Sequence, residues 1–207
     1  MELIAATRRV ASREGLSGTN VRAVAAEAAV SAGSVLYYFP SFDELMRATI
    51  ESVLEEMYHR RLAVTERESD PKHRLVCLIK AGVPDAISDD LRMLYESVPL
   101  LRAHPQYRPL HRSIVERQVS LYRSTLDIGT ALGAFSPASE LSVIARNLVA
   151  LEDAYDLYPL IGLDLDPAAY RSNIVSYAEL ALRCTLIDAD TPSATRAAFA
   201  NSAGLSG

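Results

Sequence analysis

The sequence predicts an all-α protein in which a small N-terminal helix-turn-helix unit precedes a larger helical body. Three observations lead there. Apolar residues recur at helical spacing almost to residue 187, helix starts are marked by capping residues and by Pro at the first helical position, and no alternating strand pattern or Asn-Gly hairpin signal competes. Residues 1–47 read as the helix-turn-helix domain, 48–187 as the helical body, and 188–207 as a small, polar tail expected to fray.

In the first helix Leu3, Ala6 and Val10 make the apolar face, backed by Ile4 and Ala11, and Gly15 reads as its C-cap. The next stretch, Thr19 to Phe39, holds two short helical patterns around a tight turn. Val21, Val24, Ala25 and Ala28 follow the i, i+3, i+4, i+7 spacing of one buried face, with Asn20 placed as a side-chain cap. Val30 is expected to plug the elbow, Ser31 to cap the second helix, and Val35 with Phe39 to face inward. Ala32, Ser34, Leu36, Tyr37 and Tyr38 are left pointing outward or sideways. Two helices so closely joined form a helix-turn-helix, whose second helix can enter the DNA major groove while the first crosses the backbone.

Thr19, Val24-Ala25, Ala28-Ala29-Val30-Ser31, Gly33, Tyr37, Phe39, Ser41 and Glu44-Leu45 together form a pattern that resembles the N-terminal DNA-binding domain of TetR-family transcriptional regulators. The resemblance covers about the first quarter of the chain. It implies a double-stranded DNA operator as partner, with Ser31, Ser34, Tyr37 and Tyr38 at phosphates or base edges and Gly33 allowing close backbone approach. Thr19, Asn20 and Arg22 would anchor the DNA backbone, and Ala32, Leu36 and Phe42 complete the expected DNA-facing set. Three positions depart from the family: Leu36 stands where Tyr is usual, Tyr38 where His is usual, and Phe42 where Lys is usual. The first two bear on operator preference; the third removes a phosphate contact.

Ser41 with Glu44 forms a capping box that opens a long helix carrying Met46, Ile50, Val53, Leu54 and Met57 as core. Asp70-Pro71 opens the next, with Leu75, Leu78, Ile79 and Gly82; Leu91, Leu94, Tyr95 and Val98 follow, stopped by Pro99. Pro105 and Pro109 lead into Val115, Val119, Tyr122 and Leu126, ending near Gly133. Ser136-Pro137 is expected to open the penultimate helix and Asp166-Pro167 the last. The family resemblance implies that these two, roughly 137–160 and 167–187, pair with a second copy as a four-helix bundle. Their Ala145, Ala150, Ala154, Ala178 and Ala181 would allow close approach, and a homodimer would read half-sites about 34 Å apart or a multiple of that. Ala150 to Asp156 is also similar to the C-terminal domain of betaine-regulator-like members, with Ala154 in place of Gly.

The net charge of −5 argues against a nucleic-acid partner at first sight. Locally, Arg8, Arg9, Arg13, Arg22 and Arg47 balance Glu2, Glu14, Glu27, Asp43 and Glu44, so the head is neutral and its binding should depend only weakly on salt. No apolar run reaches membrane-spanning length and no signal peptide is read, which predicts a cytoplasmic protein without a membrane partner. Cys77 and Cys184 lack metal-ligand spacing and read as buried free thiols. His59, His73, His104 and His111 show no HExxH or zinc spacing, and GxSxG, GxGxxG and Walker patterns are missing; no enzyme, cofactor or metal is expected. Asp89-Asp90 reads as a helix start, and Glu152, Asp153 and Asp156 as a solvated or dimer-edge face.

The resemblance further implies a small-molecule effector in the body. Tyr95, His111, Tyr122, Asn147 and Glu152 are the candidate contacts, since polar or aromatic groups on otherwise apolar helices suit a cationic or amphipathic ligand. The functional expectation is a repressor released from DNA by that ligand. Rival readings are a ligand sensor of the same fold that no longer reads DNA, and a helical enzyme.

Overall fold

The computed structural model describes residues 2–99, 104–163 and 166–186. These form nine α-helices, one short 3-10 turn and no strand. The helices are α1 (Glu2–Gly18), α2 (Val21–Glu27), α3 (Ala32–Tyr38), α4 (Phe42–Arg67), α5 (Pro71–Gly82), α6 (Asp89–Ser97), α7 (Arg108–Ala131), α8 (Leu141–Leu160) and α9 (Pro167–Leu182). The expected tail at 188–207 lies outside the described residues.

Local chemistry sets most helix starts. Asn20 Oδ1 accepts from the Arg22 and Ala23 amides, Ser31 Oγ from Ser34, Ser41 Oγ from Glu44 and Asp70 Oδ2 from His73, each satisfying an amide that the first turn leaves unpaired. Gly15 has φ 71° and ψ 168°, so helical geometry breaks there as expected, although α1 resumes for one turn to Gly18. The exposed Leu16 amide donates to Glu96 on α6 at 3.0 Å.

Helix α4 is the spine. Its 26 residues span about 39 Å, long enough to serve three layers in turn. Leu45 closes the head core of Ala6, Val10, Val24, Ala25 and Val35. Val53 meets Ala11 and Met93, and Ile50 and Leu54 meet Ile114, which joins the head to the body. Further along, α4 runs beside the main body core of α5, α7, α8 and α9. The division drawn at 47/48 falls inside this continuous helix.

Several local expectations are corrected. Val30 is 42% exposed and plugs nothing; its amide bonds to the Ala25 carbonyl instead. In α7 Ile114 faces inward and Val115 outward. Ser136-Pro137 does not open α8: the Ser136 and Ala138 amides bond to carbonyls of Leu182 and Ala181, holding a short extended link before α8 starts at Leu141. Ala145 and Ala178 are fully buried within this chain, so they are not available to a second copy, whereas Ala150 and Ala154 are exposed. The two cysteines are free, and half-buried rather than buried. No helix among the described residues is long and apolar enough to cross a membrane.

Candidate nucleic-acid interface and effector cavity

Helix α3 presents its chemistry outward. Val35 is its one buried residue, while Tyr37 is 81% and Tyr38 70% exposed, their rings meeting edge to face at 5.2 Å. Leu36 is also exposed, and Ala32 and Gly33 flank it on the surface. A Cβ at Gly33 would meet only Ser31 Oγ, at an ordinary 3.6 Å, so nothing inside the chain demands glycine there. Ser31 and Ser34 bond to each other at 2.9 Å.

The head's arginines are mostly spent within the chain. Arg9 and Arg13 hold Glu27 at 2.6 and 3.1 Å, Arg47 holds Glu51 at 3.2 Å, and Arg8 bonds to Glu56 and Asp90. Arg22, exposed on α2, makes no ion pair among the described residues, which leaves it the available cation beside α3. Two expected contacts are placed otherwise. Thr19 is 5% exposed and its hydroxyl donates to the Gly15 carbonyl at 2.8 Å, so its side chain works inside the head. Phe42 packs half-buried against the head core.

A cavity of about 340 Å³ opens in the body between α4, α5, α6, α7 and α8. Met57, Leu91 and Leu94 give it apolar walls; Tyr95, Arg61, Gln118, Glu152, Asp153 and Asp156 give it polar ones. Arg61 and Glu152 lie at its floor as a bidentate pair, both N···O distances 3.0 Å, with Gln118 at 3.3 Å and the Tyr122 hydroxyl bonded to Glu152. Burial opposes the charge on Arg61, and Glu152 and Tyr122 more than restore it, so its pKa is raised. Burial pushes the Glu152 carboxyl upward and Arg61 pulls it back. Burial also raises Tyr95, whose hydroxyl donates to the Asp153 carbonyl at 3.0 Å.

Residues 3–49 match the family model described as bacterial regulatory proteins, tetR family. Residues 3–49 are thus a TetR-family N-terminal domain, and the chain is similar to TetR-family regulators. Over 88 residues it is 38% identical to the HTH-type transcriptional regulator BetI of Burkholderia lata, a match covering 41% of this chain and 44% of that protein. The chain thus spans less than half the length of the curated relatives it matches. Two solved structures share the fold. A TetR transcription regulator from Haloarcula marismortui superposes with a TM-score of 0.80 at 21% identity, covering 87% of this chain and 96% of that one. A transcriptional regulator from Saccharomonospora viridis in complex with choline gives 0.76 at 19%, covering 86% and 94%.

The five ligand candidates read from the sequence divide. Tyr95 and Glu152 line the cavity. Tyr122 stands behind Glu152, fully buried. His111 does not reach the cavity lining; its Nε2 pairs with Ser97 Oγ at 3.0 Å, and burial lowers its pKa. Asn147 is exposed on α8, donating to the Tyr177 hydroxyl at 2.8 Å. The expectation that Glu152, Asp153 and Asp156 form a solvated face is overturned for two of them: Glu152 is 1% and Asp156 6% exposed, while Asp153 is exposed, and all three line the cavity. A signal for this was present, because 152 and 156 continue the buried stripe of Ile144, Ala145 and Leu148. Arg61 likewise continues the α4 stripe of Ile50 and Leu54.

A second constellation, not read from sequence, joins head to body. Arg8 of α1 reaches Glu56 of α4 at 2.6 Å and Asp90 of α6 at 2.7 Å; Arg60, which lines the cavity, holds the same Asp90 at 3.0 Å. Ser12 donates to Asp89. The Asp89-Asp90 pair does open α6, and it also docks α6 onto the head.

Proposed function

We propose that this protein is a DNA-binding transcriptional regulator that acts as a homodimeric repressor and leaves its operator when a small molecule enters the body cavity. The observation that carries the reading is the double role of α6. One side of it lines the cavity through Leu91, Leu94 and Tyr95, and its start is tied to α1 of the reading head through Asp89 and Asp90. A ligand that repositions α6 therefore acts on the head directly, and it lowers operator affinity by its preference for the non-binding arrangement. The exposed Tyr37 and Tyr38 and the unpaired Arg22 support groove reading by α3 with backbone anchoring by α2. Exposed Val143, Leu157 and Leu180 on α8 and α9 support a second copy docking on that face. The structural neighbour solved in complex with choline supports a small-molecule effector.

A ligand sensor that no longer reads DNA is favoured by one observation, the engagement of four head arginines within the chain. A mobility-shift assay against the DNA upstream of the coding region, repeated across a salt series, separates the two. Specific retardation that weakens modestly with salt supports the regulator. No retardation there or with a random operator library, from a folded dimer, supports the sensor.

A further inference from the structure

The cavity holds more carboxyl groups than the chain's own cations answer. Glu152, Asp153 and Asp156 reach it from α8, and two cations line it from α4. Arg61 is committed to Glu152, and Arg60 to Asp90 and Glu56. Tyr95 from α6 is the remaining titratable lining group, and the contributions of α5 and α7, Ala81, Gly82 and Gln118, are uncharged. Asp156 is 6% exposed as a residue, and its carboxylate, which no hydrogen bond or ion pair engages among the described residues, opens onto the cavity. A carboxylate so placed, largely withdrawn from water and with no partner, favours keeping a proton or taking a cation.

We propose that the cavity binds an organic cation whose charged nitrogen takes the place of a proton on Asp156, the proton passing to solvent. This rests on the reading of the cavity as the effector site and names the class of effector. The apolar walls of Met57, Leu91 and Leu94 favour an alkyl- or aryl-bearing ammonium over a hydrated metal ion, which would hold water against them. The Tyr95 ring adds an aromatic surface for such a cation. Asp156 is pushed up to about 8, first by burial and then by Glu152 and Asp153, with Arg61 opposing. Asp156 is therefore the cavity group whose proton a cation would displace near neutral pH. Entry of a cation below about pH 8 must expel the proton, so affinity should rise about tenfold per pH unit and level off above it.

The test is calorimetric titration of the full chain with benzyltrimethylammonium, whose charge does not itself titrate, from pH 6 to pH 9. Benzyl alcohol and benzoate serve as the neutral and anionic counterparts. The expected result is affinity rising about a hundredfold over that range, with close to one proton released per cation at pH 6 and almost none at pH 9. Both counterparts should bind at least tenfold more weakly. Asp156→Asn should lose both the proton release and at least tenfold in affinity at pH 9. Asp153→Asn should keep the proton release but move the profile to lower pH, because a charge that raises Asp156 is gone. Binding that is flat with pH, equal binding of benzyl alcohol, an unaffected Asp156→Asn variant, or no binding of the cation at millimolar concentration would each overturn the proposal. Mobility shifts with and without the cation keep the two readings apart. PH-dependent binding that leaves an operator complex intact removes the release mechanism and spares the cavity assignment. Operator binding without cation binding does the reverse.

Discussion

Gly82 closes α5 directly against the Glu152 carboxylate. A Cβ built there would overlap Oε1 and Cδ and stand 2.7 Å from Oε2. The carboxylate cannot withdraw cheaply, because Arg61 grips both its oxygens and the Tyr122 hydroxyl bonds to one of them. Gly82→Ala must therefore either lever the end of α5 away from α8 or pull Glu152 from Arg61. Overpacking of this kind costs about 1–3 kcal/mol, and leaving one member of a buried ion pair alone costs about 3–5 kcal/mol. The helix preference of Ala over Gly returns at most about 1 kcal/mol. The cheaper route sets the expected net loss at about 1–3 kcal/mol, which for a chain of this size lowers Tm by roughly 2–12 °C. Urea unfolding of the wild type, Gly82→Ala, Glu152→Ala and the double variant measures it. In the Glu152→Ala background the added methyl group has nothing to strike, so Gly82→Ala should there cost less than about 1 kcal/mol. A Gly82→Ala protein as stable as wild type, or costs that simply add in the double variant, would refute the packing argument.

Ala29 joins α2 to α3 at φ 54°, and Ala29→Gly should raise stability by about 0.5–1 kcal/mol in thermal unfolding, because glycine adopts that backbone without the Cβ clash. Tyr37→Ala should reduce operator affinity at least tenfold while changing unfolding free energy by less than about 0.5 kcal/mol, since an 81% exposed ring contributes little to the fold. Unchanged binding would remove Tyr37 from the reading surface. Gly33→Ala should leave stability intact or slightly improved, its Cβ meeting only Ser31 Oγ at 3.6 Å, and weaken the operator complex through steric hindrance. Finally, the folded pKa of Asp156, about 8, lies above its ordinary value of 3.8, so the folded state holds the proton more tightly than the unfolded chain between those values. Stability relative to Asp156→Asn should therefore fall as pH rises from about 4 to 8, by at most about 1.4 kcal/mol per unit. Denaturation midpoints of the two proteins at pH 5 and pH 8 check the sign.

The amino-acid sequence by itself determined the helical class, the helix-turn-helix and most helix starts. The reason is that a cap joins residues two or three apart: Asn20 to Ala23, Ser31 to Ser34 and Asp70 to His73 need no information from elsewhere in the chain. The outward set on α3 was legible for a similar reason, since Val35 alone can face inward on so short a helix. Tertiary structure decided the body. Arg61 and Glu152 stand 91 residues apart, and nothing local tells either that the other will neutralise it, so the buried pair is not legible from either residue alone. His111 was claimed by Ser97 and Asn147 by Tyr177, leaving the cavity to Asp153 and Asp156 instead. Whether a charged side chain meets water, a partner or an empty space depends on where distant helices cross, and only packing settles that crossing.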